Sequence, residues 1–310
     1  MKRRARPAKT KAILSGRDHE MLESIGFARY LATTQVARLH FEGRKRIAQR
    51  RLRAALDLGL VRARLQGDAL HKDTVFALSE KGSRLLIDRG VDDALARAAR
   101  IPEARALPHS LLIRDVLVAF LHAERVHQLE LVDFLLEGDL ARTDGFAAAH
   151  VVPDGLAVLR VDGREVRVAL EVDLGHEPLR TLRDKLTRYE APFTTSLVTD
   201  LVFVVTGDRR GLARLIEELG LTGRVLVFRA DALPDLIARY TRTPTAPTRR
   251  AVRRASPVQP LTITNGSLDE PVGFRGPRRV LERIEARAPS SSPPRVTRRT
   301  PSNDVEVREP

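Results

Sequence analysis

Three carboxylate side chains stand where two strand-like segments begin and end: Asp154, Glu171 and Asp173. The dipeptide Asp162-Gly163 between the segments is typical of a two-residue β-hairpin turn. A hairpin with this turn places Asp154 directly opposite Glu171, at a Cβ separation of roughly 4.5–5.5 Å where like charges are destabilising. Asp173 projects from the same face, because side chains alternate along a strand. The sequence therefore predicts a site of oxygen ligands for a divalent cation, Mg²⁺ or Mn²⁺.

The same register gives the hairpin two supporting features. Arg160 lies opposite Glu165, and a pair of opposite charges favours this alignment. The other face of the second strand carries a stripe of apolar residues: Val166, Val168, Leu170 and Val172. Both features indicate that the carboxylates share one face of a sheet whose other face covers a core.

Each candidate also has an interpretation without chemistry. Asp154 is in a dipeptide context typical of a turn, and Glu171 alone is typical of the exposed end of a strand. Lys185, on the helix that follows, is as a single lysine more often solvated than catalytic. His176, between Gly175 and Glu177, is more typical of a helix cap or a loop contact than of a phosphate contact or a metal ligand. Three further residues lie along one apolar helix and could approach the site: His109, Asp115 and Glu124.

The order of elements in this half, αβββαβ, resembles that of the PD-(D/E)xK nuclease superfamily. In that superfamily two carboxylates hold Mg²⁺, and a lysine two residues after the glutamate helps to activate water. Pro153-Asp154 matches the PD element and Glu171 the second acidic residue, but Asp173 occupies the lysine position. Lys185 is the expected substitute. The resemblance implies a restriction-endonuclease-like sandwich with Asp154, Glu171, Asp173 and Lys185 as its catalytic residues.

A second resemblance covers most of residues 17–240. A winged helix followed by a PDG element, E-x-D-x-G-[TH]-E and then K-L-x-x-Y is similar to the replication-relaxation family of plasmid, phage and mobile-element proteins. The matching residues are Pro153, Asp154, Gly155, Glu171, Asp173, Gly175, His176, Glu177, Lys185, Leu186 and Tyr189. This resemblance implies a DNA-associated role without specifying a reaction.

The N-terminal third has the helix, helix, helix, hairpin, helix order of a winged helix-turn-helix. Its third helix, residues 44–58, turns apolar residues toward a core: Ala48, Leu52, Ala55 and Leu56. The candidate DNA-binding side chains cover the remainder of that helix: Arg44, Lys45, Arg46, Gln49, Arg50 and Arg53. These donors can reach base edges and phosphates. The alternative is a solvated basic face, although such faces usually mix both signs of charge.

A chain of 310 residues has room for about two domains with separate cores. The predicted boundaries are a flexible basic arm at 1–16, the winged helix at 17–90, a linker at 91–108, the nuclease-like domain at 109–240 and a disordered Arg/Pro/Ser-rich tail at 241–310. The expected fold class is therefore mixed, α+β or α/β.

The net charge of +14 is distributed unevenly: +6 over residues 1–12, +6 over 13–100, −5 over 101–240 and +7 over 241–310. The basic flanks favour a polyanion such as double-stranded DNA, although a GC-rich genome would also enrich arginine. Cysteine is absent, which excludes disulfides and thiolate-bound zinc. With no signal peptide or membrane-spanning segment, a soluble cytoplasmic protein is expected.

The sequence thus predicts a DNA-binding protein of a plasmid, phage or mobile element. If the carboxylates are active, it also predicts Mg²⁺-dependent cleavage of DNA. The alternative is a winged-helix regulator of replication or transcription whose nuclease-like domain is only an interaction platform. A third hypothesis is an accessory subunit recruited to a relaxase or replication initiator through the basic tail.

Overall fold

The computed structural model describes residues 14–65, 73–93, 95–126, 129–207 and 209–241. Within them the chain forms a mixed α and β structure with two sheets, one of three strands and one of five. The predicted arm and tail lie wholly or mainly outside these residues. None of the helices in the described ranges has both the length and the apolarity needed to cross a bilayer.

The N-terminal unit combines four helices with a three-stranded antiparallel sheet in the order β1-β3-β2. Its elements are α1 (Gly16–Phe27), β1 (Leu31–Ala32), α2 (Thr33–His40), α3 (Lys45–Asp57), β2 (Val61–Leu65), β3 (Thr74–Leu78) and α4 (Glu80–Ile87). The expected order of helices and hairpin is observed. The two-residue strand β1 was not predicted, and α2 begins at Thr33 rather than after a threonine cap.

Helix α3 lies between two glycines with positive φ, Gly43 at 77° and Gly59 at 71°. A left-handed residue just after a helix ends it, and glycine adopts that conformation without a steric penalty. Ala48, Leu52 and Ala55 are buried, as the helical spacing predicts, whereas Leu56 is only half-buried. The apolar stripe therefore fixes which side of α3 faces solvent.

The second half forms a five-stranded sheet in the order β4-β5-β6-β7-β8. Its elements are α5 (Leu107–Arg125), β4 (Glu130–Leu136), α6 (Glu137–Leu140), α7 (Asp144–Ala148), β5 (Gly155–Val161), β6 (Arg164–Asp173), α8 (Leu179–Arg188), α9 (Glu190–Thr194), β7 (Asp200–Val205), α10 (Arg210–Glu218), β8 (Val225–Arg229), a short 3-10 turn (Ala230–Ala232) and α11 (Leu233–Tyr240). The first three strands are antiparallel, and β6, β7 and β8 run parallel.

The predicted hairpin register is confirmed along the whole β5–β6 ladder, from the Val161–Arg164 pair to the Gly155–Leu170 pair. Asp162 and Gly163 have φ values of 49° and 76°, and the favoured two-residue hairpin turn needs positive φ at both positions. The turn dipeptide therefore sets which residues face each other on the two strands.

Arg160 and Glu165 lie opposite each other across this hairpin, as predicted, but their side chains pair with other neighbours. Arg160 Nη1 instead bonds Glu130 Oε1 at 2.7 Å, on the neighbouring strand β4. Glu165 Oε1 accepts from Arg167 Nε at 2.8 Å, two residues along the same strand. Each exposed side chain has a choice of oppositely charged neighbours, so the alignment of the strands does not decide the pairing.

Both faces of the sheet are covered by helices. On one face, Val168, Leu170 and Val172 are buried in the same hydrophobic cluster as residues of α5 and α11. The opposite face packs on α8 and α10. Leu179, the first residue of α8, is 45% exposed because it lies before the buried turns of that helix.

Two short helices, α6 and α7, lie in the segment between β4 and β5. Phe146 is fully buried in the cluster beneath α8, which explains why this segment is ordered around a helical turn. The signal in the sequence is weak, because helices of four or five residues are too short to show an apolar period.

The two halves do not have the separate cores that were expected. The largest hydrophobic cluster runs from α1, α2 and α3 through α5 to the five-stranded sheet. Polar contacts reinforce this junction, since Gln35 Nε2 donates to Leu111 O at 2.9 Å and Arg125 Nη1 to Leu39 O at 2.6 Å. Helix α5 is therefore a shared element of both halves.

Candidate functional site

The three predicted carboxylates converge at one edge of the five-stranded sheet, where β6 ends and β5 begins. Asp154 immediately precedes β5. Glu171 lies two residues before the end of β6, and Asp173 is the final residue of that strand. Glu171 and Asp173 are buried, with 1% and 3% of their surfaces exposed. A buried carboxylate needs a partner to replace its lost hydration, so each of the three can be understood from what it contacts.

Glu171 is held by two side chains of α8. Lys185 Nζ lies 2.7 Å from its Oε2, and Tyr189 donates its phenol proton to Oε1 at 2.6 Å. The two donors are four residues apart and so lie on the same face of the helix. Lys185 therefore lies beside the carboxylate of Glu171. This position by itself does not assign it the predicted catalytic role.

Burial, reinforced by the negative charge of Asp154, raises the pKa of Glu171 to about 7, against the hydrogen bonds from Lys185 and Tyr189. Burial disfavours the charged form of Lys185, but Glu171 beside it raises the pKa of the ammonium group above its ordinary value. Burial and the neighbouring carboxylate also raise the pKa of Tyr189, so the phenol remains a proton donor. The cluster holds one negative and one positive side chain with little solvent between them.

Asp173 is held by Arg209, from the segment just before α10. Arg209 Nε donates to Asp173 Oδ2 at 2.6 Å, and a second guanidinium nitrogen contacts the same oxygen. The other carboxylate oxygen accepts from Gly175 N at 2.7 Å, and Gly175 has a positive φ of 90°. Asp173 therefore shapes the turn after β6 and ties it to the start of α10.

Asp154 is held by backbone and histidine. Its Oδ2 accepts from Val172 N at 2.7 Å and lies 3.2 Å from His109 Nε2, which is also 3.1 Å from Val172 O. The hydrogen bond to Asp154 raises the pKa of His109 above its ordinary value, although burial opposes this. His109 thus links the first turn of α5 to the sheet edge.

In this structure the protein's own donors contact the carboxylate oxygens that the sequence assigns to a divalent metal. Both oxygens of Glu171 and both of Asp173 already accept hydrogen bonds or ion pairs, and Asp154 Oδ2 does so as well. In the part of the chain that the structure describes, no group of three or more His, Asp or Glu side chains is arranged to hold a metal ion. The positive charge that the carboxylates need is supplied here by Lys185, Arg209 and His109.

A second candidate surface is the solvent face of α3. Of the six predicted DNA-binding side chains, five are exposed and Lys45 is half-buried: Arg44, Lys45, Arg46, Gln49, Arg50 and Arg53. Three of them have acidic neighbours, since Arg44 contacts Glu42, Lys45 contacts Asp73 and Arg53 contacts Asp57.

Arg46 and Arg50 have no ion pair within the described ranges. They are one helical turn apart on the exposed side of α3. The centre of this basic face is therefore positively charged without local compensation.

Arg51, next to Arg50, behaves differently. Its Nε donates to Asp18 Oδ1 at 2.6 Å, and a second nitrogen contacts the other oxygen of the same carboxylate. Asp18 is 1% exposed and also accepts from Ser15 N and Ser15 Oγ. Arg51 therefore belongs to the interior of the N-terminal unit, while its neighbour on the helix faces solvent.

Three residues of the sheet-edge site were not assigned a role from sequence: His109, Tyr189 and Arg209. The K-L-x-x-Y pattern contained the signal for Tyr189, because four residues separate it from Lys185. His109 and Arg209 are 45 and 55 positions from Asp154 in the numbering and carry no local signal. Only the packing of α5 and the parallel β6–β7 pairing bring them to the site.

Comparison with known proteins yields one match. A family model described as replication-relaxation matches residues 22–205, which include α3 and the whole sheet-edge cluster except Arg209. No curated protein and no solved structure matches the chain significantly.

Proposed function

Because the chain belongs to the replication-relaxation family, we propose that it is a double-stranded-DNA-binding protein that acts in the replication or relaxation of a plasmid, phage or other mobile element. The observation that carries this proposal is the centre of the basic face of α3, where Arg46 and Arg50 are exposed and have no ion pair among the described residues. Exposed arginines that lack acidic partners are suited to phosphate contacts, whose affinity comes largely from the release of counterions.

The architecture around α3 supports this proposal. Two helices precede α3, and the β2–β3 hairpin follows it, which is the order of a winged helix-turn-helix. In helix-turn-helix proteins a recognition helix enters the major groove and presents donors to base edges and phosphates. Arg46, Gln49 and Arg50 are the side chains of α3 that we assign to this contact.

The test is the salt dependence of duplex DNA binding by the full chain. Arg46 and Arg50 are changed together to Ala, and the slope of log K against log salt is measured. We expect the slope to become shallower by about 0.9 for each lost phosphate contact. The matched control changes Arg164 at the start of β6 and Arg239 on α11, two exposed arginines outside α3, and should leave the slope unaltered.

Equal slopes for wild type and the α3 variant would remove this helix from the DNA interface. A loss of affinity equal in the α3 variant and the control would mean that the interaction depends only on net charge.

A second candidate function is DNA phosphodiester cleavage, favoured by one observation: the Lys185 ammonium group lies 2.7 Å from Glu171. In a cleavage reaction this ammonium group could stabilise negative charge that develops on a phosphate. The alternative is a regulator of replication or transcription, for which the sheet edge serves only as an interaction platform; its support is that the carboxylate oxygens already accept from protein donors. In a third hypothesis the basic tail recruits the protein to a relaxase or replication initiator.

The two candidates differ in their response to metal. The full chain is melted with and without millimolar Mg²⁺ or Mn²⁺, alongside a nicking assay on plasmid DNA. For the platform function we expect no metal-dependent rise in Tm and no nicking. A ligand that binds only the folded state at 100 times its Kd adds about 2.7 kcal/mol. A stabilisation of that order, absent from the Asp154→Asn, Glu171→Gln double variant, would instead support metal-dependent cleavage.

A further inference from the structure

An arginine-lined cleft of about 280 Å³ lies between the N-terminal unit and the five-stranded sheet. Its charged lining consists of Arg29, Arg97, Arg100, Arg114, Arg142 and Asp139. Five guanidinium groups therefore face one carboxylate, which leaves a formal charge of +4 around a small volume. Asp139 is in contact with Arg29, at 3.3 Å, so the one acidic side chain is already used.

Arg114 forms the floor of this cleft and is 8% exposed. Its guanidinium group lies 4.1 Å from the centre of the Tyr30 ring and donates to two backbone carbonyls, Ala28 O at 3.2 Å and Ser110 O at 3.2 Å. No carboxylate of the described residues comes within 4.0 Å of it. Burial lowers the pKa of Arg114, yet a guanidinium group stays protonated in proteins. Glu137 and Asp154 favour its charged form from farther away, but neither contacts it. A buried charge without a contacting counterion is costly, which makes this guanidinium group suited to an anion.

The rim of the cleft adds exposed positive charge. The side chains of Arg97, Arg100 and Arg142 are exposed, and none of them has a hydrogen bond or ion pair within the ranges that the structure describes. They come from two separate segments, one before α5 and one after α6. Their convergence is therefore a product of the fold and not of a local run of arginines.

The cleft adjoins the carboxylate cluster. Leu136, which lines it, pairs with Gly155 across β4 and β5, and Gly155 follows Asp154 directly. Glu137 N donates to Asp154 O at 3.2 Å. Arg114 is also on the same helix as His109, which contacts Asp154. One face of the molecule thus carries, side by side, an anion-seeking cleft and the sheet edge.

We infer that this cleft binds a phosphate group, and that its source is the sugar-phosphate backbone of the DNA held by α3. This inference rests on the proposed function. Arginine is suited to phosphate because its planar fork can donate two parallel hydrogen bonds to two oxygens. Arg114 provides a fixed donor at the floor, and the three rim arginines can close on the phosphate from outside. A contact with a phosphate group carries no information about the bases, so the cleft positions DNA without reading its sequence.

The first arm of the test uses inorganic phosphate as the probe, with the full chain and no DNA. Tm is measured in phosphate and in chloride at equal ionic strength. We expect phosphate to raise the Tm of wild type by about 2–4 °C, and this rise to vanish in the Arg97→Ala, Arg100→Ala double variant. Both residues are exposed, so the variant should fold normally. Arg164→Ala with Arg239→Ala is the charge-matched control and should retain the rise.

Arg114→Gln adds a test of the floor, since glutamine keeps a donor but no charge. Loss of the phosphate response in this variant, with cooperative melting retained, supports the assignment of Arg114. If the variant does not fold, the rim variant decides alone. An equal phosphate response in wild type, rim variant and control would overturn the site.

The second arm identifies the source of the phosphate. The salt slope of duplex DNA binding should be shallower in the Arg97→Ala, Arg100→Ala variant than in the control pair. An unchanged slope beside a lost phosphate response would overturn the DNA-backbone assignment and indicate a small phosphate-bearing ligand. If wild type binds no DNA, the proposed function fails, while the phosphate titration still reports on the cleft by itself.

Discussion

The exposed face of α3 and the edge of the five-stranded sheet are both rich in charged side chains, but they differ in whether those side chains have partners within the chain. On α3, Arg46 and Arg50 project into solvent and have no ion pair among the described residues. At the sheet edge, Glu171 and Asp173 are buried and each is matched by a specific cation, Lys185 or Arg209. The first region is open to a partner, and the second is satisfied by the chain itself.

This difference distinguishes two roles of charged side chains, stabilising the fold and binding a partner, which a count of charges does not distinguish. A buried matched pair contributes to the choice of fold, since removal of one member leaves the other charge without hydration. An exposed unmatched charge contributes almost nothing to stability but is available for binding. Adjacent residues can differ in this way, as Arg50 and Arg51 do on α3.

The largest effect is expected from that adjacent pair. Arg51→Ala leaves the buried carboxylate of Asp18 without its guanidinium partner and should lower the free energy of unfolding by about 3–5 kcal/mol. Arg50→Ala should change it by less than about 0.5 kcal/mol while weakening DNA binding. Urea denaturation and a DNA titration on both variants make the comparison. Equal destabilisation by the two substitutions would break the distinction between inner and outer arginines.

The next effect concerns pH and Glu171. Its pKa is raised to about 7 in the folded protein, so its contribution to stability is full below the unfolded value of about 4.5 and is lost as pH rises through 7. The free energy of unfolding of wild type relative to Glu171→Gln should therefore fall by about 3 kcal/mol between pH 4.5 and 7.5. Glu165→Gln, at an exposed position on the same strand, is the control. A difference that stays constant with pH would show that Glu171 is not sensitive to its burial.

A smaller effect is expected from the tyrosine of the same cluster. Tyr189→Phe removes the 2.6 Å hydrogen bond to Glu171 but keeps the ring that packs beside Phe193. We expect a loss of about 1–2 kcal/mol, the usual range for a buried hydrogen bond whose acceptor remains. Thermal or chemical denaturation at pH 8 measures it. No loss would indicate that Lys185 alone satisfies Glu171.

The smallest effect is expected at the exposed end of the sheet. Arg160 pairs with Glu130 at 2.7 Å, and both side chains are 45% exposed. Solvent screening limits such a pair to about 0.5 kcal/mol. Arg160→Ala should therefore melt close to wild type, and a loss of several kcal/mol would mean that exposed pairs matter here as much as buried ones.

The sequence was most informative where local chemistry sets geometry. Asp162-Gly163 specifies a turn with two positive φ values, and from it the entire β5–β6 register follows. The apolar period of α3 likewise separates its buried from its exposed side chains, and it predicts the exposure of five of the six candidate DNA-binding residues, Lys45 being half-buried. In both cases residues a few positions apart determine the outcome.

The sequence was least informative where distant segments meet. Nothing near Asp173 indicates that Arg209 will hold it, because that contact depends on the parallel pairing of β6 with β7. The arginine cleft has no local signal for the same reason, since its lining comes from the connection between α1 and β1, the segment before α5, α5 itself and the region around α6. Three neighbouring carboxylates predict a metal site, but they give no sign that long-range packing also brings the cationic side chains of Lys185, Arg209 and His109 to them.

Helix α5 packs on α2 through one face and on the five-stranded sheet through another, within one continuous hydrophobic cluster. A cut anywhere in residues 91–108 would therefore expose apolar surface on both products, and neither half would be a faithful sample of the intact chain. The same junction makes melting a single concerted event, because α5 cannot leave one half without leaving the other. A calorimetric trace of the protein should accordingly have one peak, with a van't Hoff enthalpy equal to the measured one.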